Sequence, residues 1–180
     1  MFKKVEHVYL LLLKMTKSDN IIIALDESTT STGYAIFKNN QLVDYGAIIE
    51  KSKDVLERVN NIVNKICDII RKYKPNDIVL ENVQITMSAP TAKSLMGLQF
   101  IIEIISYRNN IKCTAIRTAH WRKVLGLSNS PKINRATKKK EAMEYVKNKY
   151  NISEEIDDVT DAICIGECFI KENYKEETDL

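Results

Sequence analysis

Glycine and proline are scarce in this chain, with 5 and 3 residues among 180. Since these residues mark linkers and irregular segments, their scarcity excludes long flexible linkers and indicates one folded domain with short tails. Histidine is also scarce, with 2 residues, and the 4 cysteines lack a CxxC spacing. A zinc site is therefore not expected, and the cysteines are predicted to be reduced thiols.

Long apolar runs are lacking as well. The run at residues 8–13 is too short to span a membrane, and no small-residue cleavage site follows it. We therefore expect a cytoplasmic protein with an N-terminal extension over residues 1–20, a folded domain over 21–173 and an acidic tail over 174–180. Met15 is a hypothetical alternative start of the native chain.

The net charge of +3 conceals a strong asymmetry. Residues 117–149 carry ten Lys or Arg against two acids, whereas residues 151–180 carry ten acids against two Lys. The basic stretch suits a polyanion such as nucleic acid, although a solvated lysine-rich helix would have the same composition. The candidate phosphate contacts are Arg122, Lys123, Arg135, Lys138, Lys139 and Lys140.

Apolar periodicity predicts an α/β fold with a five-stranded mixed sheet flanked by helices. Asn39-Asn40 is a tight-turn signal, so the first three strands form an antiparallel meander. Thr137 is predicted to cap the fourth helix. Strands are predicted at 21–26, 33–38, 41–49, 77–81 and 111–116, and helices at about 52–73, 90–108, 119–125, 137–150 and 156–173.

Two acidic residues end apolar strands. Asp26 follows Ile21–Leu25, and Glu81 follows Ile78-Val79-Leu80. Acids at the carboxyl end of buried strands are where α/β folds place their sites. The alternatives are that Asp26 caps a turn and that Glu81 reaches solvent at the sheet edge.

The last helix offers three further acids, and helical geometry selects two of them. At about 100° per residue, Asp158 and Asp161 lie next to each other at the rim of the apolar stripe. Asp157 falls on the solvent side, where its negative charge would interact favourably with the helix dipole. A row of ordinary helix-start acids is the alternative interpretation for this segment.

Clustered carboxylates are costly to bury, and bound cations remove that cost. Oxygen ligands favour Mg²⁺ or Mn²⁺, and two such ions side by side can hydrolyse a phosphodiester. The predicted catalytic and metal-binding residues, with two ions per site, are Asp26, Glu81, Asp158 and Asp161.

At these motifs the chain resembles the RuvC family of Holliday-junction resolvases, especially its phage-encoded branch, within the ribonuclease H-like superfamily. The resemblance covers about residues 21–170, and its most specific motif is the DxxDA helix. The matching segments are Ile21–Asp26, Ser31–Ile36, Ile78–Val83 and Asp158-Val159-Thr160-Asp161-Ala162.

The resemblance implies a sheet of strand order 3-2-1-4-5 and two-metal cleavage of four-way DNA junctions that leaves 5′-phosphates. It implies metal ligation by the four acids, DNA contacts at residues 138–140, and a homodimer built on the helix at about 90–108. The chain has Glu27-Ser28 after Asp26, where the bacterial pattern has Pro-Gly, and it lacks the bacterial aromatic soon after Glu81. A nuclease that also cuts branched DNA other than four-way junctions is therefore an alternative.

Other functions share parts of this pattern. A ribonuclease H acting on RNA–DNA hybrids would use the same acids, whereas a non-catalytic branched-DNA-binding protein would need only the basic stretch. The segment from Asp26 to Gly33 also resembles the phosphate loop of actin-like sugar kinases, but the second glycine-rich loop is absent. Trp121 could stack on a base or pack in the core, and His120 is a weaker candidate for an active-site helper.

Overall fold

The computed structural model describes residues 19–83, 88–153 and 156–174. The predicted extension and acidic tail lie almost wholly outside these residues. No helix within the described part has the length and apolarity needed to cross a membrane.

Five strands form one mixed sheet in the order β3-β2-β1-β4-β5, as predicted. β1, β2 and β3 are antiparallel neighbours, while β4 runs parallel to both β1 and β5. Asn39 and Asn40 both have positive φ and form the tight turn of the first hairpin. The strands are β1 (Ile21–Asp26), β2 (Ser31–Lys38), β3 (Gln41–Ile49), β4 (Asp77–Glu81) and β5 (Lys112–Ile116).

Within the described residues, five helices flank the sheet at positions close to the predicted ones. They are α1 (Val55–Tyr73), α2 (Ala89–Arg108), α3 (Thr118–Val124), α4 (Arg135–Tyr150) and α5 (Asp157–Asn173).

Two helices begin at residues other than those predicted, because Asp54 and Asn134 cap them. α1 begins three residues later than expected, since Asp54 accepts a hydrogen bond from the Glu57 amide. α4 begins before Thr137, which is therefore not its cap. Asn134 Oδ1 instead accepts from the Thr137 amide at 2.8 Å. Each cap satisfies an amide that has no partner within its own helix.

The sheet separates two cores because alternate residues of β1 point to opposite faces. Ile22 and Ala24 pack in the core that contains α5. Ile23 and Leu25 pack in the core that contains α1 and α2. α5 lies across β1 and β2 and is buried on almost every side. This central helix carries the DxxDA motif to the carboxyl end of β1.

Candidate active site

Asp26 and Glu81 lie side by side at the carboxyl ends of the neighbouring strands β1 and β4. β1 and β4 are parallel, with Leu25 opposite Leu80, and each acid is the next residue of its strand. The side chains that the sequence places at two strand ends are thus brought together by the register of the sheet.

Gly33 lets α5 approach the carboxyl end of β1. This glycine pairs with Asp26 across the β1–β2 ladder. A Cβ at position 33 would stand 2.0 Å from the carbonyl oxygen of Asp158, so only glycine leaves room for the helix. The close approach brings Asp158 and Asp161, one turn apart, to the strand ends.

The electrostatics show that these four acids share one location. Burial raises the pKa of Asp26 well above its ordinary value of 3.8, and the charges on Glu81, Asp161 and Asp158 raise it further. Burial, and then mainly the charge of Glu81, raises the pKa of Asp161 to about 7. Like charges that oppose each other's ionisation in this way lie close together in a poorly solvated place.

Glu27 is a fifth acid in the cluster, and sequence reasoning did not include it. Its Oε2 accepts a hydrogen bond from the Glu81 amide at 3.2 Å. Its Oε1 is buried with no hydrogen-bond partner among the described residues. Burial and then the Glu81 charge raise the pKa of Glu27 well above its ordinary value. The available signal was its position directly after Asp26, where the sequence departs from the bacterial pattern.

Two donors from α3 hold Glu81 in place. Trp121 Nε1 donates to Glu81 Oε1 at 3.1 Å, and the Thr118 hydroxyl donates to the same oxygen. Trp121 is fully buried, which supports the core interpretation and excludes stacking on a nucleic-acid base. Its indole orients a carboxylate of the cluster instead, an interaction that the sequence did not predict.

The donor set fits hard divalent cations. Every candidate ligand is a carboxylate oxygen, and the orphaned oxygen of Glu27 is a buried acceptor that a cation would satisfy. The residues that could hold such ions are Asp26, Glu27, Glu81, Asp158 and Asp161.

A cleft of about 340 Å³ joins the acids to part of the basic stretch. Glu27, Glu81 and Asp161 line it together with residues from the start of α4. The basic lining residues are four of the six predicted phosphate contacts, namely Arg122, Arg135, Lys138 and Lys139.

Three of the predicted contacts are less available to DNA or lie elsewhere. Arg122 lines the cleft but is only 3% exposed, and the prediction that it contacts phosphate is corrected because its guanidinium binds other residues of the protein. Its Nε donates to the Ser128 carbonyl at 2.7 Å and its Nη2 to Glu141 at 2.8 Å. Lys140 is exposed beside Glu144, and exposed Lys123 lines a different cavity.

Two further residues have partners that the sequence did not indicate. Asp157 was predicted to face solvent at the helix start, but it forms an ion pair with Lys139. His120 lies in the same second cavity as Lys123, where its Nε2 is 2.8 Å from Glu172 Oε1. His120 does not line the acidic cleft.

The sheet order and the flanking helices define a ribonuclease H-like fold, as the sequence predicted. A solved structure of T. thermophilus RuvC in complex with Holliday junction substrate is similar, with a TM-score of 0.69 at 12% identity. That similarity covers 84% of this chain and 95% of the other. The chain belongs to the DUF3882 family, described as Lactococcus phage M3 protein, whose model matches residues 19–170.

Two curated relatives of similar sequence are both named RuvC. The crossover junction endodeoxyribonuclease RuvC of Fusobacterium nucleatum is 28% identical over 152 residues, which cover 80% of this chain and 76% of that protein. The protein of the same name from Ehrlichia ruminantium is 28% identical over 158 residues, which cover 83% of this chain and 95% of that protein.

Proposed function

We propose that this protein is a metal-dependent endodeoxyribonuclease that cuts Holliday junctions and other branched DNA. The observation that carries the proposal is the meeting of acids from β1, β4 and α5 beside a cleft, which Glu81, Asp161 and basic residues of α4 line. The activity named for the two relatives, and the junction bound in the similar structure, support the choice of substrate.

The proposed chemistry requires two divalent cations, Mg²⁺ or Mn²⁺. When bound, they would supply an activated water and stabilise the leaving 3′ oxygen, so that the products carry 5′-phosphates. Asp26 is the candidate bridging ligand because it lies between the β4 acid and the α5 acids. Glu81 would hold one ion with the carboxylate oxygen that α3 does not use. Asp158 and Asp161 would complete the other ion's shell.

The basic residues at the start of α4 would contact the DNA backbone. Arg135 is exposed and Lys138 is half-buried beside the cleft, so both can reach a phosphate near the acids. Each phosphate that a protein neutralises contributes about 0.9 to the slope of log K against log salt. Lys138→Ala should therefore weaken junction binding and lower this slope by about 0.9, whereas the exposed Lys65→Ala on α1 is the control that should leave the slope unchanged.

A second copy of the chain is the proposed protein partner. α2 exposes an apolar stripe along one of its faces. The residues that form it recur every three or four positions and are Met96, Phe100, Ile104 and Tyr107. Phe100 and Tyr107 are 61% and 84% exposed, which is costly for large apolar side chains in a lone chain. Sedimentation analysis should show a dimer that Phe100→Glu dissociates, and a monomeric parent would contradict this part of the proposal.

The experiment that tests the nuclease is cleavage of a mobile four-way junction, with linear duplex, fork and RNA–DNA hybrid as controls. Asp26→Asn should abolish Mn²⁺-dependent cutting and retain junction binding. Asp68→Asn, which changes an exposed acid on α1, should cut like the parent. Equal cutting by Asp26→Asn would refute the site.

The same assay separates the alternatives. Preference for the hybrid would identify a ribonuclease H, since that enzyme would use the same acids on a different duplex. Tight junction binding without cutting in Mg²⁺ or Mn²⁺ would identify a non-catalytic DNA-binding protein.

A further inference from the structure

A second group of potential metal ligands lies where α3 meets α5. His120 projects from α3, and Cys168 and Glu172 are one turn apart on α5. His120 Nε2 is 2.8 Å from one oxygen of Glu172, and Cys168 Sγ is 3.9 Å from the other. The three potential ligand atoms lie within 4.8 Å of one another.

These distances suit a tetrahedral ion. Zinc bonds of about 2.0–2.3 Å at tetrahedral angles place ligand atoms roughly 3.3–3.8 Å apart. The sulfur–oxygen separation of 3.9 Å is slightly longer than this range. The His120–Glu172 separation must widen by about half an ångström, and both side chains are exposed enough to move, at 49% and 40%.

We propose that His120, Cys168 and Glu172 form a binding site for a borderline divalent cation such as Zn²⁺, separate from the acidic cleft. The imidazole and the thiolate favour Zn²⁺ over Mg²⁺, whereas the cleft offers only carboxylate oxygens. Three protein ligands leave a fourth position for water. The proposal departs from the expectation of no zinc site, which rested on cysteine spacing and could not take account of His120 packing near α5.

The bound ion would stabilise the arrangement of the active site from outside the acidic cluster. α3 carries Thr118 and Trp121, which hold Glu81, while α5 carries two other acids of the cluster, Asp158 and Asp161. An ion joining His120 to α5 would fix α3 against that helix. Burial and then the Glu172 charge raise the pKa of the Cys168 thiol to about 12, so binding must release the thiol proton to solvent.

Cobalt(II) titration of the full chain tests the proposal independently of nuclease activity. The probe is Co²⁺ in excess Mg²⁺, on the Asp26→Asn background, so that the acidic cleft does not compete for Co²⁺. We expect one Co²⁺ per chain with a thiolate-to-cobalt charge-transfer band, displaced by Zn²⁺. Cys168→Ser should lose the band, and Cys67→Ser, on α1 at the other face of the sheet, should keep it.

The remaining ligands are tested by His120→Ala and Glu172→Gln. Each should weaken binding by at least about tenfold, since even outer-shell partners change metal affinity by about 10- to 100-fold. Both side chains are exposed, so these variants decide the question even where Cys168→Ser fails to fold. Absence of the thiolate band in the parent, or unchanged affinity in both variants, would overturn the proposal.

Discussion

Replacing Asp161 with asparagine should stabilise the metal-free protein, although the residue is a proposed metal ligand. In the folded chain the pKa of Asp161 is raised from its ordinary value of 3.8 to about 7, by burial first and then by Glu81. The folded state therefore binds more protons than the unfolded state between these two values. Stability falls as pH rises through this window, and the penalty is complete above pH 7.

The size of the effect follows from the shift. About three pH units at 1.36 kcal/mol each give a full penalty of roughly 4 kcal/mol, of which roughly 1.5 kcal/mol has developed by pH 5. The advantage of Asp161→Asn over the parent should therefore grow by roughly 3 kcal/mol between pH 5 and pH 8. Asparagine keeps the size of the side chain and removes the charge that Glu81 repels.

Urea unfolding in the presence of a chelator, at both pH values, measures this difference. Asp68→Asn is the matched control, because its exposed carboxylate pairs with Arg71 and its variant should gain no advantage at high pH. Adding Mg²⁺ at pH 8 should stabilise the parent more than Asp161→Asn, since the ion offsets the repulsion. An advantage of equal size at both pH values would refute the proposed crowding of charges.

Three further substitutions test the parts that build the site. Gly33→Ala should destabilise the fold by about 3 kcal/mol or more and reduce cutting, because its methyl group meets the Asp158 backbone; a parent-like melting temperature would contradict the close approach. Trp121→Phe should raise the Mn²⁺ concentration needed for half-maximal cutting by about tenfold, since the indole donor is lost; an unchanged requirement would remove its positioning role. Glu27→Gln should stabilise the metal-free chain at pH 8 and weaken Mn²⁺ binding in calorimetry by about tenfold, and parent-like binding would exclude Glu27 from the metal site.

The sequence by itself determined the elements and much of the fold. Strand and helix patterns are local, because a half-buried strand repeats every two residues and an amphipathic helix every three to four. The bounds of β1, β3 and β4 agree with prediction, and so does the strand order that the resemblance implied. The two helix starts that differed depend on which nearby side chain reaches a free amide, a choice that periodicity does not encode.

The four acids could also be selected from sequence, because each lies at a strand end or on a helix rim. Only the tertiary structure decided what surrounds them. Arg122 looked like a phosphate contact, but the fold buries it against Glu141. Glu27 lies beside the chosen Asp26, and Trp121 is far from Glu81 along the chain. Both join the site because hydrogen bonds and desolvation depend on distances in space, which chain packing sets.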